Sequence, residues 1–179
     1  MATSTALTVK DFQALELPED RRYELVNGEV VEMPRAKFRH EKVKANGIKI
    51  LVGYLVQNPI GELYAETTFE FTEIDARQPD LAVLLNEQVR ALAADEFPHG
   101  APVLVVEVIS SESASDFLNK VELYLKCSCR AVWALHSEQR AVWIFTPGGS
   151  ARVLHGDEPV EADFLPGFSI PASRFFDGL

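Results

Sequence analysis

The chain has 179 residues, of which 47% are hydrophobic and 25% are charged, and its formal net charge at pH 7 is −10. These values are typical of a globular protein, and the length suits a single hydrophobic core, so we expect one domain over residues 1–179. The acidic balance argues against a protein coated for non-specific DNA binding, although it allows a local basic groove.

The lack of an export signal and the small number of cysteines indicate a protein of the cell interior. The first residues, MATSTALTVKDF, lack the basic segment and apolar stretch of an export signal. No apolar run approaches the roughly 20 residues that a membrane helix needs. Cys127 and Cys129 are too few for a disulfide framework, and their spacing suits neither a zinc knuckle nor a redox pair. We therefore expect a cytoplasmic protein that does not span a membrane.

A hairpin and a long helix are the first predicted elements. RRYELVNGEVVEM places Asn27–Gly28 between two apolar-rich arms, which is the strongest short signal for a hairpin. From about Phe38 to Val56 the apolar residues recur at helical spacing, and Asn58–Pro59 ends the helix. His40 lies at the amino-terminal end of the apolar face.

A cluster of cations surrounds His40 in the segment RAKFRHEKVK. Its members are Arg35, Lys37, Arg39, Lys42 and Lys44. The simpler interpretation is a solvated start of a helix, and the alternative is a patch that contacts phosphates.

The middle of the chain alternates strands and helices. LYAETTFEFT, residues 63–72, alternates between apolar and polar side chains, which predicts one half-buried strand. RQPDLAVLL, residues 77–85, and VLVVEVIS, residues 103–110, predict more uniformly buried strands. A helical turn is predicted near NEQVRALAADEF, residues 86–97. SASDFLNKVELYLK predicts a helix with Ser113 as its N-cap.

The carboxyl-terminal third predicts a second hairpin and an irregular tail. RAVWALHS and RAVWIFTP are separated by Glu138–Gln139 and read as paired strands. The tail FLPGFSIPASRFF is apolar without a clear period, so we expect it to pack across the edge of the core. Together the elements predict a mixed sheet with helices against it, in the α/β or α+β class.

Glu107 is out of place in its strand, because an ionised carboxylate in a buried strand is costly unless it is paired. Asp80 begins the preceding buried strand. If the two strands pair antiparallel, the start of one lies beside the end of the other, and the two carboxylates are neighbours. Two carboxylates that close either share a proton or bind a cation.

Lys120 interrupts an apolar stripe of the helix that follows. Phe117, Val121, Tyr124 and Leu125 share its face at helical spacing. A lysine at that place can lean over the end of the sheet toward the two carboxylates. The alternative is a surface ion pair with Asp116, which is worth only a few tenths of a kcal/mol.

In order and spacing, YELVNGEVVEM, the helix that starts near His40, QPDLAVL, VLVVEVIS, DFLNKVELY and AVWAL resemble the Uma-two endonuclease family. That family belongs to the PD-(D/E)XK superfamily, which includes restriction endonucleases. The resemblance runs from about Tyr23 to LPGFSI near the carboxyl terminus. It implies a restriction-endonuclease-like fold with a mixed central β-sheet, flanking helices and additional β-hairpins.

The resemblance also implies roles for individual residues. Pro79–Asp80 matches the "PD" element and Glu107 the second acidic metal ligand, with the backbone carbonyl of Val108 as a further ligand. The usual superfamily lysine follows two positions after the glutamate, where this chain has Ile109. Lys120 matches the place from which this family supplies its lysine, in the following helix.

Two further residues match polar positions at the family's site. His40 is expected to act as a proton shuttle or a phosphate contact, or else as an ordinary hydrogen-bonded residue at the start of a helix. Glu24, on a hairpin arm, is either part of the site or a solvated strand glutamate.

The activity that the resemblance implies is Mg²⁺- or Mn²⁺-dependent hydrolysis of DNA phosphodiester bonds. The alternatives are a catalytically weak relative that serves as a binding or assembly module, and a metal-dependent enzyme with another substrate. A homodimer is expected, because nucleases that cut both strands often dimerise and the hairpin with Trp133 and Trp143 offers a symmetric surface. The same tryptophans also suit a position in the core.

Overall fold

A computed structural model describes residues 6–94, 96–109 and 113–179. Asp95, in the predicted helical turn, and Ser110, at the end of a predicted strand, lie outside the described residues. The strands in the described part are β1 (Arg22–Val26), β2 (Glu29–Met33), β3 (Gly61–Ala65), β4 (Phe69–Thr72), β5 (Asp75–Arg77), β6 (Leu81–Leu85), β7 (Leu104–Ile109), β8 (Ala131–His136), β9 (Ala141–Thr146), β10 (Ser150–His155), β11 (Pro159–Glu161) and β12 (Ser169–Pro171). The helices are α1 (Val9–Gln13), α2 (Phe38–Gln57), α3 (Asn86–Arg90) and α4 (Ala114–Lys126), followed by a 3-10 helix (Ala172–Phe176).

The central sheet has the strand order β10-β9-β8-β7-β6-β3. Strands β7 and β8 run parallel, and the other neighbours in this sheet run antiparallel. Alternate side chains of these strands point to opposite faces. One face buries the apolar stripe of α2 and the 3-10 helix, and the other buries the stripe of α4. The predicted mixed sheet with flanking helices is confirmed.

A second, antiparallel sheet with the order β2-β1-β5-β4 lies beside the start of β6. Strand β5 ends at Arg77 and β6 begins at Leu81, so a short connection joins the two sheets. Strand β1 pairs with β5 through Leu25 and Ala76, which brings the first hairpin to the end of the central sheet. Residues from both sheets therefore meet at that end.

Several predicted elements form at the expected residues. Strands β1 and β2 pair around Asn27–Gly28, and both turn residues have the positive φ angles, 49° and 78°, that a tight hairpin turn requires. Helix α2 spans Phe38–Gln57, within a residue of the prediction. The Ser113 side chain accepts a hydrogen bond from the backbone N–H of Asp116, which confirms Ser113 as the N-cap of α4. The hairpin of β8 and β9 also forms.

The prediction of one strand over residues 63–72 is wrong. The chain breaks after β3 and continues as β4 in the other sheet. At the break Glu66 has a φ of 50°, a left-handed conformation that ends an extended strand. The tail is also more regular than predicted, since it contains β12 and the 3-10 helix. It packs on the core as expected, with Phe168, Phe175 and Phe176 buried.

The two tryptophans of the second hairpin belong to the core. Trp133 is fully buried and packs against the rings of Phe168 and Phe175. Trp143 is half-buried between His136 and Phe145. The two tryptophans therefore give no support for a symmetric surface, and the homodimer stays a prediction.

No helix in the described part of the chain combines the length and the apolar character needed to cross a membrane.

Two glycines of this fold differ in the space around them, and we expect opposite effects when each is replaced by alanine. Gly53 is an exposed residue inside α2, and a Cβ there has no neighbour within 4 Å. Gly53→Ala should raise the free energy of unfolding by about 1 kcal/mol because alanine favours a helix. A Cβ at Gly61 would lie 2.1 Å from the backbone oxygen of Leu84. Gly61→Ala should therefore lower the free energy of unfolding by about 1–3 kcal/mol.

Urea unfolding of the wild type and the two variants measures these differences. A loss of stability in Gly53→Ala, or no loss in Gly61→Ala, would contradict the described packing of α2 and β3.

Candidate active site

The start of β6 and the end of β7 form the floor of the candidate site. The two strands pair antiparallel with Leu81 opposite Val106, which is the condition under which Asp80 and Glu107 were expected to be neighbours. Continued by one position, this register places Asp80 opposite Glu107. The carboxyl end of β7 extends past the start of β6 while it stays paired with β8, so both acidic side chains lie where β6 begins.

Asp80 is held from two directions. Its Oδ1 lies 2.9 Å from Nε2 of His40 in α2, and its Oδ2 accepts a hydrogen bond of 2.8 Å from the backbone N–H of Val108. Burial alone would raise the pKa of Asp80, but the hydrogen bond and attraction of His40, the N–H of Val108 and the charge of Arg22 together lower it. Asp80 is therefore stabilised as a carboxylate although it is only 3% exposed.

Glu107 is in the opposite electrostatic situation. Burial, together with the nearby charges of Asp80 and Glu24, raises the pKa of Glu107 to about 7. The Tyr124 hydroxyl donates a hydrogen bond of 2.7 Å to Oε1 of Glu107, and the Lys120 ammonium lies 3.9 Å from the same atom. Both contacts favour the ionised form of Glu107, but they lower its pKa by less than burial and the neighbouring carboxylates raise it.

Glu24 is a third buried acid, 1% exposed, supplied by β1. Its Oε1 accepts a hydrogen bond of 3.0 Å from the backbone N–H of Gln78 and lies 4.0 Å from Nζ of Lys120. Its Oε2 lies 3.5 Å from the guanidinium of Arg77 but has no hydrogen-bond partner among the described residues. The pairing of β1 with β5 therefore adds a carboxylate from the second sheet to the two from the first.

Lys120 reaches the site from the buried stripe of α4. Its side chain is 10% exposed, and its ammonium lies within 4.0 Å of both Glu107 and Glu24. The lysine reaches Glu107, one of the two carboxylates toward which it was expected to lean, and also Glu24. The carboxylate of Asp116 instead accepts a hydrogen bond of 2.7 Å from the Ser113 hydroxyl at the start of the helix.

These groups surround a small open cleft of about 80 Å³. The predicted residues Glu24, His40, Asp80, Glu107, Val108 and Lys120 all line it, so the structure brings the whole predicted set together. The rest of the lining consists of Arg22, Met33, Pro34, Arg35, Ala36 and Gln78.

The predicted basic cluster around His40 divides into two kinds of residue. Lys44 is buried and bridges Glu41 and Glu66 at 2.8 Å from each. Arg35 lines the cleft, Lys37 is the exposed N-cap residue of α2, and Arg39 is exposed on the first turn of that helix. In the described residues, no ion pair engages Lys37 or Arg39.

Three residues at this site were not predicted from the sequence. Tyr124 was recognised as a member of the α4 stripe, four positions after Lys120, but not as a hydrogen-bond donor to Glu107. Arg22 and Gln78 border the "YELV" and "PD" segments, and the Nε–H of Arg22 donates a hydrogen bond of 2.7 Å to Oε1 of Gln78. This contact joins residues 56 positions apart, so nothing in the local pattern indicates it.

The donor set fits a hard divalent cation. Described residues contain no group of three or more His, Cys, Asp or Glu side chains arranged to hold a metal ion. Mg²⁺ needs fewer, because it commonly binds through one or two carboxylates and keeps several waters. Within the described part of the chain, each oxygen of Asp80 accepts one hydrogen bond and keeps a lone pair, and Oε2 of Glu24 has no hydrogen-bond partner. Oxygen donors with spare lone pairs and mutual repulsion suit a magnesium or manganese ion.

Comparison with known proteins defines the class. A solved structure of "a putative nuclease belonging to DUF820" from Anabaena variabilis ATCC 29413 is similar in fold, with a TM-score of 0.82. The match covers 95% of this chain and 97% of the other, at 17% sequence identity. The fold is thus that of a nuclease-fold protein.

The family follows from the sequence match. The family described as "Uma2: Putative restriction endonuclease" matches residues 9–173, which is most of the chain. The chain belongs to this Uma2, or Uma-two, family, as the sequence motifs indicated. No curated protein matches the chain.

The raised pKa of Glu107 predicts a pH-dependent stability in metal-free protein. The ordinary pKa is 4.5 and the folded value about 7, so the folded state holds this proton more tightly than the unfolded state. The free energy of unfolding should therefore fall as the pH rises from 4.5 to 7, by on the order of 3 kcal/mol from this group. The lowered pKa of Asp80 affects stability only at pH values below this range. There the free energy of unfolding falls as the pH drops through the pKa that Asp80 has in the folded state.

Urea unfolding in EDTA at several pH values measures the effect. Glu107→Gln should lack the fall and be more stable than the wild type at pH 8. Glu122→Gln is the control, because Glu122 is an exposed carboxylate of α4 paired with Lys126. Identical pH profiles for the wild type and Glu107→Gln would contradict the described burial of this carboxylate.

Proposed function

We propose that this protein is a metal-dependent endonuclease that hydrolyses phosphodiester bonds of DNA, with Mg²⁺ or Mn²⁺ as cofactor. The observation that carries the proposal is the convergence of Glu24, Asp80 and Glu107, all nearly fully buried, on one open cleft beside Lys120. Lys120 and Arg77 lie beside these carboxylates, and Arg77 also pairs with Asp75, so burying all three acids is costly without a further cation. This cost suggests that the excess negative charge of the buried carboxylates binds a cation.

Asp80, Glu107 and the backbone carbonyl of Val108 are the groups that would hold the metal. A bound divalent ion supplies a positive charge that polarises the phosphate and activates a water nucleophile. The lowered pKa of Asp80 keeps one ligand ionised at neutral pH. The raised pKa of Glu107 means that cation binding and loss of its proton are coupled.

We assign Lys120 to stabilise negative charge on the phosphate. Its ammonium already lies against Glu107 and Glu24 and is held there by the packing of α4. Charge that develops on a phosphate oxygen in the transition state would therefore meet a donor that needs no rearrangement. Ile109, at the usual superfamily position, is apolar, so the charge has to come from another element.

We assign His40 as a positioning residue and Glu24 as a residue that orients the attacking water. Nε2 of His40 is engaged with Asp80, while its Nδ1 is buried without a hydrogen-bond partner among the described residues. This arrangement suits the orientation of a carboxylate better than the exchange of protons with water. Oε2 of Glu24 can accept a hydrogen bond from a water in the cleft.

The rim of the cleft supports a polyanionic substrate. Arg35 lines the cleft, and Lys37 and Arg39, which follow it closely in the sequence, are exposed, in a protein whose net charge is −10. A local cationic edge on an acidic protein gives a phosphate backbone one favourable approach. We also propose that the protein acts as a homodimer, because a single site of this kind cuts one strand.

The proposal predicts that Asp80→Asn and Glu107→Gln each lose metal binding and DNA cleavage. Calorimetric titration of Mg²⁺ and Mn²⁺ measures binding, and conversion of supercoiled plasmid measures cleavage. Each variant should cleave at least ~100-fold more slowly than the wild type, because charge stabilisation at the reacting phosphate is lost. Glu122→Gln, with an exposed carboxylate on α4, should behave as the wild type.

A wild type that binds neither ion would overturn the proposal and leave Lys120 as the structural partner of the buried acids. Metal binding without cleavage of any DNA would favour a binding or assembly module. If the wild type hydrolyses another substrate with a metal ion and both variants lose that activity, the proposed site is right and the proposed substrate is wrong.

His40 offers a separate prediction. His40→Ala should weaken Mn²⁺ binding by about 10- to 100-fold, because Asp80 loses the ring that orients it. The activity should recover in part at higher Mn²⁺ concentration, which a residue that transfers protons would not allow. A variant with normal Mn²⁺ affinity but slow cleavage at saturating Mn²⁺ would show that His40 takes part in the chemistry instead.

A further inference from the structure

The active-site cleft continues into a second, larger depression of about 380 Å³. Five residues line both: Arg22, Met33, Pro34, Arg35 and Ala36. The outer depression has no part in the proposed chemistry, because Asp80, Glu107 and Lys120 line only the inner cleft. A substrate longer than one nucleotide would extend beyond the inner cleft, and this depression adjoins it.

Arg22 lies where the two depressions join, and its guanidinium is fixed there. Its Nε–H donates to Oε1 of Gln78 at 2.7 Å, its Nη1 donates to Oε1 of Glu66 at 3.1 Å, and its Nη2 lies 3.4 Å from the backbone oxygen of Gln78. These contacts use three of the five N–H groups of an arginine. The side chain is 30% exposed, so the remaining donors can meet a ligand.

The sequence position of Gln78 connects Arg22 to the catalytic floor. Gln78 precedes Pro79–Asp80, and its backbone N–H donates to Glu24. Arg22 and Glu24 are two positions apart on β1, so their side chains leave the strand on the same face. The charge of Arg22 also helps to lower the pKa of Asp80.

One carboxylate oxygen of Glu66 lies between the cations of Arg22 and Lys44. Its Oε1 accepts hydrogen bonds from Arg22 at 3.1 Å and from Lys44 at 2.8 Å. Its backbone is in the left-handed conformation, with its N–H bonded to the carbonyl of Asp80 and its carbonyl bonded to the Gln78 side chain. The side chain is nonetheless 42% exposed. A carboxylate oxygen shared by an arginine and a lysine occupies the position that a phosphate oxygen would favour.

We propose that Arg22 binds a backbone phosphate of the substrate strand next to the phosphate that is cleaved, and that Glu66 competes for the same guanidinium in the free protein. The inference rests on the proposed nuclease function. Arg22 is then a substrate-binding residue whose contribution appears in affinity. It is distinct from Lys120, which lies against the buried carboxylates and serves the reacting phosphate.

The test uses the full chain and a fluorescein-labelled DNA oligonucleotide, single- and double-stranded, titrated in EDTA so that no strand is cleaved. Arg22→Gln should weaken binding about tenfold and reduce the slope of log K against log salt by about 0.9 for the duplex. Glu66→Gln should strengthen binding, because it removes the competing charge without removing either cation. In plasmid cleavage with Mn²⁺, Arg22→Gln should raise KM by about the factor by which it weakens binding.

Arg152→Gln is the matched control. Arg152 is exposed on β10, at the opposite edge of the central sheet from β3, and its loss changes the net charge equally. Thermal unfolding of each variant shows that the protein is folded during the measurement.

Three results would overturn the inference. Equal weakening by Arg22→Gln and Arg152→Gln would mean a general charge effect. A fall in kcat with unchanged binding would mean that Arg22 acts only through Gln78 and Asp80. Weaker binding by Glu66→Gln would mean that Glu66 supports Arg22 rather than competing for it.

Failure of this inference is distinguishable from failure of the proposed function. If the wild type cleaves DNA but Arg22→Gln binds DNA normally, the role of Arg22 alone is wrong. If the wild type neither binds nor cleaves DNA, the nuclease proposal is wrong and the role of Arg22 falls with it.

Discussion

The candidate site depends on the two contacts of the Asp80 carboxylate. One oxygen accepts the backbone N–H of Val108 at the end of β7, and the other meets His40 in the first turn of α2. A single side chain thus ties the start of β6 to its neighbouring strand and to the long helix on one face of the sheet. The N–H of Val108 lies beyond the end of the β6–β7 ladder, where a backbone donor needs a new partner. Asp80 meets that need, and its fixed position determines where Glu107 and the backbone of Glu66 can lie.

The charge states of Asp80 and Glu107 both depend on the burial of this end of the sheet. Asp80 is ionised because it has donors on both oxygens, whereas Glu107 has one hydroxyl and a more distant ammonium. The same desolvation therefore gives opposite outcomes for two adjacent acids, a lowered pKa for one and a raised pKa for the other. Such a divided pair is typical of sites that bind cations or move protons. The apolar stripe of α4 and the interior of the sheet hold the charges together, since neither Lys120 nor the acids would converge without that packing.

Much of this site could be predicted because its signals are departures from a regular pattern. Glu107 interrupts a buried strand and Lys120 interrupts an apolar helical stripe, so each is visible in its own segment. If the two strands pair antiparallel, Asp80 falls beside Glu107, although the sequence itself does not determine that pairing. The family resemblance added Glu24 and His40. What could not be predicted depends on contacts between distant segments. The break at Glu66 requires a left-handed glutamate, for which the sequence has no signal because glutamate rarely adopts that conformation. Once that break is missed, the second sheet and the contact of Arg22 with Gln78 are missed as well.

Strand β1 explains why two sheets are needed for one site. Leu25 and Tyr23 pack against α1 in a small separate core, which leaves the alternate residues, Arg22 and Glu24, facing the cleft. One face of a short strand thus contributes a carboxylate to the inner cleft and a guanidinium cation to its junction with the outer depression. Because β5 leads directly into the Gln78–Asp80 connection, the position of this strand is coupled to the position of Asp80. A change in the small sheet would therefore move Arg22 and Asp80 together. The proposed nuclease needs this arrangement, because binding and chemistry would have to stay in register along one strand of DNA.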